Sequence, residues 1–261
     1  MRQPGQDVLK LLLRVAVHSN DLKSNFVSRN SSLSSLVAPA ADELHCLSSL
    51  PMGLGCVSLA ARNETRSGSD LRPYLSQDYN DHTDLPEPRL SDDQHGTRCA
   101  GEIAAAKNDV CGVGVAYNAQ VAGIRILSAS ISDADEASAL NFGYQSNDIY
   151  SCSWGPPDDG RSMEAPSRLI YKSMLNGVQN GRAGKGSIFV FASGNGGAVD
   201  DQCNFDGYTN SIYSITISAI DRKGLHPYYS EGCSANMVVT YSSGSGDNIV
   251  GVGVPIASVK S

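Results

Sequence analysis

The stretch "SIFVFASGNGG" (187–197) joins a short apolar run to an asparagine that glycines flank on both sides. Its first seven residues are mostly β-branched or aromatic, and a run of that length is typical of a strand buried within a sheet. Glycine at 194 lets the backbone turn sharply after the strand. The stretch therefore predicts an interior strand that ends in a turn and leaves the side-chain amide of Asn195 accessible.

Similar apolar runs recur on the amino-terminal and carboxyl-terminal sides of this stretch. "QVAGIRIL" (120–127), "IYSCSW" (149–154) and "SITISAI" (214–220) also have the pattern of buried strands. Residues 133–145 and 165–181 have helical patterns, and the second ends at a glycine. Alternating strands and helices predict an α/β fold, a mostly parallel sheet with helices on both faces. In such sheets the functional groups collect beyond the carboxyl ends of the strands.

The amino-terminal part of the chain has a different character. Residues 1–77 match this pattern poorly, and 27–70 are rich in serine and alanine with no sustained helical or strand period. We interpret 27–70 as an insertion or a disordered segment, without an assigned function. The domain is predicted to begin at about residue 78.

Composition narrows the class of partner. The 261 residues are 41% hydrophobic and 18% charged, enough for one sizeable domain with a buried core. The net charge of −7 and a pI near 5.2 argue against nucleic acid or an anionic membrane surface and favour a basic partner or a cation. The apolar part of residues 1–17 is short and interrupted by Lys10 and Arg14, so it predicts neither a signal peptide nor a membrane-spanning helix.

The chain has seven cysteines, and because this number is odd at least one cysteine is free or paired outside the chain. Cys203 and Cys233 lie in polar, loop-like surroundings where a bridge is one option. Cys99 has the surroundings of a small buried residue.

Polar residues follow the predicted strand ends. The side-chain amide of Asn195 is suited to donate a hydrogen bond to a developing oxyanion. The sequence supports equally well a second interpretation, in which Asn195 simply occupies a left-handed turn. Carboxylates share the same rim and are suited to hold calcium or to pair with arginine, although loop acids are often merely solvated. These carboxylates are Asp158, Asp159, Asp201, Asp206 and Glu231.

The run "DDQHGTRCAGEIAAA" (92–106) places a histidine at the entrance of a predicted helix. Asp92 and Asp93 suit the positive end of the helix dipole, and His95 is left partly exposed. A histidine in this position is a candidate general base.

Several blocks together resemble the kexin/furin proprotein convertases of the subtilisin-like serine peptidases, most closely their fungal kexin branch. They occur in the family's order between about residues 78 and 250, and residues 251–261 form an unmatched tail. The blocks are "HGTRCAGEIAA", "CGVGVAYNA", "GIRIL", "SCSWGPPDDGR", "FASGNGG", "CNFDGYTNSIYSITI" and "YSEGCSA". The resemblance implies a calcium-dependent secretory-pathway enzyme, of the Golgi lumen, that cleaves precursors after paired basic residues (Lys-Arg or Arg-Arg).

The resemblance also implies roles for single residues. His95 matches the general base that takes the proton of the catalytic serine, and Asn195 matches the oxyanion donor. The calcium ligands beneath the arginine pocket are matched by Asp158, Asp201 and Glu231, and a ligand of another calcium site is matched by Asp21. Cys203 and Cys233 match a family disulfide.

The substrate-binding acids of the family are matched as well. Asp158 and Asp206 match the acids that face the arginine before the scissile bond. Asp92 matches an acid that helps to recognise the basic residue before that arginine. Glu136 and Glu164 match acids further along the cleft.

The chain also departs from the family pattern. "HSNDLKSNF" (18–26) weakly resembles the segment after the triad aspartate, but "LLLR" (11–14) stands where the family has "DDG". The block "GTSAAAP", which carries the nucleophilic serine, does not occur in these 261 residues. We therefore expect a subtilisin-like fold that is incomplete at both ends, and no peptidase activity from this chain.

The same residues also suggest two other functions. One is a non-catalytic module that binds basic peptides in the acidic cleft. The other is a cysteine peptidase that uses Cys99 with His95, which share a helix face if His95 is helical.

Overall fold

A computed structural model describes residues 56–60 (backbone only), 73–90, 95–107, 114–117, 119–221 and 223–242. Seven strands form one sheet in the order β2-β3-β1-β4-β5-β6-β7. The strands are β1 (Cys56–Ala60), β2 (Gln77–Asp78), β3 (Gln120–Arg125), β4 (Ile149–Cys152), β5 (Ile188–Ala192), β6 (Ser214–Ile220) and β7 (Asn236–Tyr241). The four strands predicted from apolar runs all form, although three are shorter than the runs that predict them.

Most neighbouring strands are parallel. The pairs β2–β3, β4–β5, β5–β6 and β6–β7 are parallel. An α-helix lies between the strands of the first two pairs in the chain, at His95–Ala104 and Arg168–Gly184, as is usual for parallel neighbours, and the other two pairs are joined by connections without an α-helix among the described residues. The predicted α/β fold is confirmed. Because β4, β5 and β6 are parallel neighbours, the loops that follow them meet at one edge of the sheet.

Strand β1 differs from the expectation for residues 27–70, which assigned no strand to that segment. It lies between β3 and β4 and runs antiparallel to both, with Ser58 opposite Ala122 on one side and Tyr150 on the other. The run "CVSLA" is too short to carry a recognisable period. Its strand conformation depends on unpaired backbone groups of β3 and β4, which are distant in sequence.

Helices cover both faces of the sheet. They are α1 (His95–Ala104), α2 (Asp133–Asn141) and α3 (Arg168–Gly184). One apolar cluster joins α2 and α3 to side chains such as Tyr150 and Phe189, and a second joins α1 to Val121 and Ile149. Adjacent residues Ile149 and Tyr150 belong to opposite clusters because successive strand side chains point to opposite faces.

The helix ends follow local chemistry. The Ser132 hydroxyl caps α2, accepting from the Asp135 backbone N–H while the Asp135 carboxylate accepts from Ser132. Helical dihedral angles in α3 end before Gly181, the glycine at which the sequence predicts a stop. No helix among the described residues is long and apolar enough to cross a membrane.

Candidate active site

Three predicted acids converge at the carboxyl edge of the sheet. Ligand oxygens of Asp158, Asp201 and Glu231, from the loops after β4, β5 and β6, all lie within 4.8 Å of one another. Asp201 and Glu231 are buried, at 7% and 3% exposed. Buried carboxylates this close repel one another, so the arrangement favours a cation between them.

Backbone N–H groups hold each carboxylate of this cluster. The Asn195 N–H donates to Asp158 Oδ2 at 2.8 Å, and the Gly196 N–H donates to Glu231 Oε1 at 2.9 Å. Asp201 accepts from the N–H groups of Gln202 (2.8 Å) and Gly160 (3.1 Å). Oxygen donors of this kind are the ligands that calcium prefers, so the donor set fits a calcium ion.

Glycine is required in the turn that faces these acids. Gly194 has φ +105°, and a Cβ there would lie 2.2 Å from Glu231 Oε1. A Cβ at Gly196 would lie 2.5 Å from the Asp201 Cβ. Asn195 itself has φ −120° and ψ 10°, so the alternative that it occupies a left-handed turn is wrong. The positive φ falls on Gly194 because glycine adopts it without steric cost.

Burial changes the ionisation of the acids. It raises the pKa of Glu231 to about 8, with Asp158 and Asp201 adding to the effect. Burial also raises the pKa of Asp158, and it raises the pKa of Asp206 to about 6, with the charge of Asp158 contributing. Near neutral pH and without a cation, Glu231 is therefore largely protonated.

We expect the cation-free protein to lose stability as the pH rises from 5 to 8. In the unfolded chain these acids ionise near their ordinary pKa, whereas the folded protein holds its protons up to a pH of about 8. The unfolded state then binds fewer protons, so the free energy of unfolding falls with pH. Thermal melts in EDTA at a series of pH values measure this, and the decrease should disappear in calcium. A melting temperature in EDTA that rises over this interval would contradict the prediction.

A pocket opens directly over the acid cluster, since Asp158, Asp201 and Glu231 all line it, and it also contains both of the predicted arginine-binding acids. Asp158 and Asp206 both line it, together with Pro156, Pro157 and Phe205. Asp206 Oδ1 accepts from the N–H of Tyr208 at 2.7 Å, and a Cβ on Gly155 would lie 2.9 Å from Asp206 Oδ2. The pocket is acidic, and planar guanidinium groups pair well with such carboxylates.

A disulfide fixes the loops that form this site. Cys203 and Cys233 are bonded, with their Cα atoms 5.5 Å apart, as the resemblance implies. The bond joins the loop of Asp201 and Asp206 to the loop of Glu231. It therefore limits the movement of one loop relative to the other.

The predicted outer acids of the cleft are linked to the Asp206 loop. The Tyr208 hydroxyl donates to the carboxylate of Glu136, whose pKa is raised by burial. Glu164 is exposed, and its backbone pairs with residues 205 and 207 (N–H to Phe205 O, 3.1 Å). No sequence pattern points to Tyr208, which follows Asp206 by two positions and packs its ring on Trp154.

The remaining predicted residues are His95, Asp21 and Asp92. His95 is the first residue of α1 and half-buried, and its Nε2 lies 3.8 Å from Cys99 Sγ. That contact satisfies the geometric condition for the cysteine peptidase. However, Cys99 is only 8% exposed and packs in the apolar cluster that joins α1 to the sheet, so its thiol has little access to a peptide. Asp21 and Asp92 lie outside the described residues.

Comparison with known proteins agrees with this fold. The subtilase family (Peptidase_S8) matches residues 19–253. Kexin of Saccharomyces cerevisiae is 67% identical over 175 residues, and human furin is 50% identical over 188 residues. These matches cover 67% and 70% of this chain but only 22% and 24% of the relatives' own length.

Solved structures show the same fold at lower sequence identity. The serine protease of Aeromonas sobria aligns with a TM-score of 0.57 and 23% identity, covering 67% of this chain and 33% of that one. A protease of Pseudoalteromonas arctica aligns with a TM-score of 0.55 and 20% identity, covering 77% and 67% of the two chains. The fold and the family match define a subtilisin-like serine protease domain. The chain belongs to the subtilase family and is similar to the fungal kexins and to furin.

Proposed function

We propose that this chain supplies the arginine pocket, the oxyanion donor and the general base of a calcium-dependent endopeptidase that cleaves proprotein precursors after paired basic residues. The observation that carries the proposal is the acidic pocket lined by Asp158 and Asp206. Two carboxylates in a half-buried pocket select a cationic side chain, and arginine presents its N–H groups in a fork that matches them.

The residues act in a defined order around the scissile bond. The pocket holds the arginine, which places the peptide carbonyl beside the turn of Asn195. The Asn195 amide donates to the oxygen that becomes negatively charged, a contribution worth roughly 10²–10³ in rate. His95 takes the proton of the attacking serine hydroxyl. Calcium held by Asp158, Asp201 and Glu231 supplies positive charge that balances these buried acids.

The outer acids extend this recognition along the cleft. Glu136 and Glu164 are linked to the Asp206 loop, and both are suited to basic residues further from the scissile bond. Asp92 contributes to binding the basic residue that precedes the arginine, and Asp21 is a ligand of a second calcium site. A disulfide agrees with an oxidising compartment, and we propose the secretory pathway, in the Golgi lumen.

We propose that the 261-residue chain itself binds basic peptides without cleaving them. It has no "GTSA" block to supply the serine and no aspartate in the "LLLR" run that stands in place of "DDG". Without the serine hydroxyl no acyl intermediate forms.

Binding of a peptide that contains Arg-Arg should require calcium. We expect saturable binding in fluorescence anisotropy with the full chain, loss of binding in EDTA, and none for a peptide with alanines in place of both arginines. A fluorophosphonate probe should leave the protein unlabelled. Equal binding of the two peptides would contradict the arginine pocket, and labelling of a serine would contradict the absence of a nucleophile.

A further inference from the structure

The turn 194–196 is held by the same carboxylates that form the cation site. The consecutive N–H groups of Asn195 and Gly196 donate to Asp158 and to Glu231, respectively. Gly194 and Gly196 are also packed so closely against Glu231 and Asp201 that neither position has room for a Cβ. The position of the turn is therefore defined by the three acids.

The side chain of Asn195 has little else to orient it. Its Oδ1 is buried and has no hydrogen-bond partner among the described residues. The direction in which its Nδ2 donor points is consequently set by the backbone of the turn. A small displacement of the turn moves a donor whose distance from the oxyanion must be near 3 Å.

We propose that Asp158 and Glu231 are positioning residues that couple occupancy of the cation site to the orientation of Asn195. The proposal rests on the proposed cation site. When a cation draws the three carboxylates together, their oxygens carry the Asn195 and Gly196 N–H groups with them. When it leaves, no positive charge draws the three side chains together, and the turn that they hold is free to shift. The cation therefore controls the oxyanion donor as well as the arginine pocket.

Conservative variants separate the charge of these acids from their hydrogen bonds. Asp158→Asn and Glu231→Gln each keep an oxygen that accepts the backbone N–H but remove one negative charge from the cation site. Asp158→Ala removes the acceptor as well. Asp221→Asn is the matched control, because the Asp221 carboxylate accepts from the Lys223 and Leu225 N–H groups of its own turn and is not among the charges that raise the pKa of Asp158 or Glu231.

The sequence permits direct observation of Asn195. Gly194–Asn195 is the one Gly-Asn pair in the 261 residues, so ¹³C′-glycine and ¹⁵N-asparagine labelling of the full chain yields a single HNCO signal, from Asn195. We expect this signal to move on titration with calcium, with the same half-saturation as binding measured by calorimetry.

The variants should then divide into two groups. Asp158→Asn and Glu231→Gln should need about tenfold more calcium yet reach the wild-type signal at saturation. Asp158→Ala should remain displaced at saturation, and Asp221→Asn should behave as wild type. If Asp158→Ala does not fold, the other titrations still decide the question.

Two results would overturn the coupling and have different meanings. Calcium binding by calorimetry with an unmoved Asn195 signal would reject the coupling and leave the proposed cation site intact. Absence of calcium binding at millimolar concentrations would reject the cation site and the coupling together.

Discussion

Asp206→Asn is expected to weaken binding of an Arg-Arg peptide by about 30-fold or more, or roughly 2 kcal/mol. Asp206 is half-buried and lines the pocket with Asp158, so its charge pairs with arginine away from bulk water. Asparagine keeps the oxygen that accepts the N–H groups of Tyr208 and Thr209, so the loop keeps its hydrogen bonds and loses only the charge.

The pH dependence of peptide binding distinguishes the charge of Asp206 from the charges of the other acids. Burial raises the pKa of Asp206 to about 6, so the carboxylate becomes ionised as the pH rises through that value. Wild-type affinity in calcium should therefore increase between pH 5 and 7, because arginine stays charged throughout. Asp206→Asn should lose this part of the increase, and Asp159→Asn should retain it. Wild-type affinity and pH dependence in Asp206→Asn would show that arginine does not occupy this pocket.

Ser58→Pro is expected to abolish cooperative folding. Ser58 lies in the centre of β1, paired with β3 on one side and β4 on the other, and β1 is what joins the pair β2–β3 to the strands β4–β7. Proline removes a ladder N–H from this central strand and leaves a neighbouring carbonyl without its donor, at a cost of about 1–3 kcal/mol, and its ring adds a steric clash with the neighbouring strand. Domains commonly have only about 5–15 kcal/mol of stability in total.

Urea unfolding measures the effect directly. Trp154 is the one tryptophan of the chain, is 7% exposed and packs on Phe191 and Tyr208, so its fluorescence reports on the core. Ser58→Ala keeps the backbone N–H and should unfold close to wild type. An unchanged unfolding midpoint for Ser58→Pro would mean that β1 does not join the two parts of the sheet.

Much of the site was predictable because its residues follow long apolar runs. The runs at 149–154, 187–193 and 214–220 identify parallel neighbours, and parallel strands bring their carboxyl ends together. The convergence of Asp158, Asp201 and Glu231 follows from that rule, whereas the family resemblance was needed to give each acid a role. Tyr208 was missed because a tyrosine in a loop has no pattern of its own. Its function depends on a contact with Glu136, 72 positions earlier.

The amino-acid sequence by itself determined the α/β class, the interior strands and the edge of the sheet at which the acids lie, because these depend on local periodicity and on polar residues at strand ends. Only the tertiary structure decided that Cys56–Ala60 enters the sheet antiparallel between β3 and β4, and that Asp158 and Glu231 hold the turn of Asn195. Both features are made of backbone hydrogen bonds between segments distant in sequence, and the partners of such bonds are chosen by the fold rather than by the residues nearby.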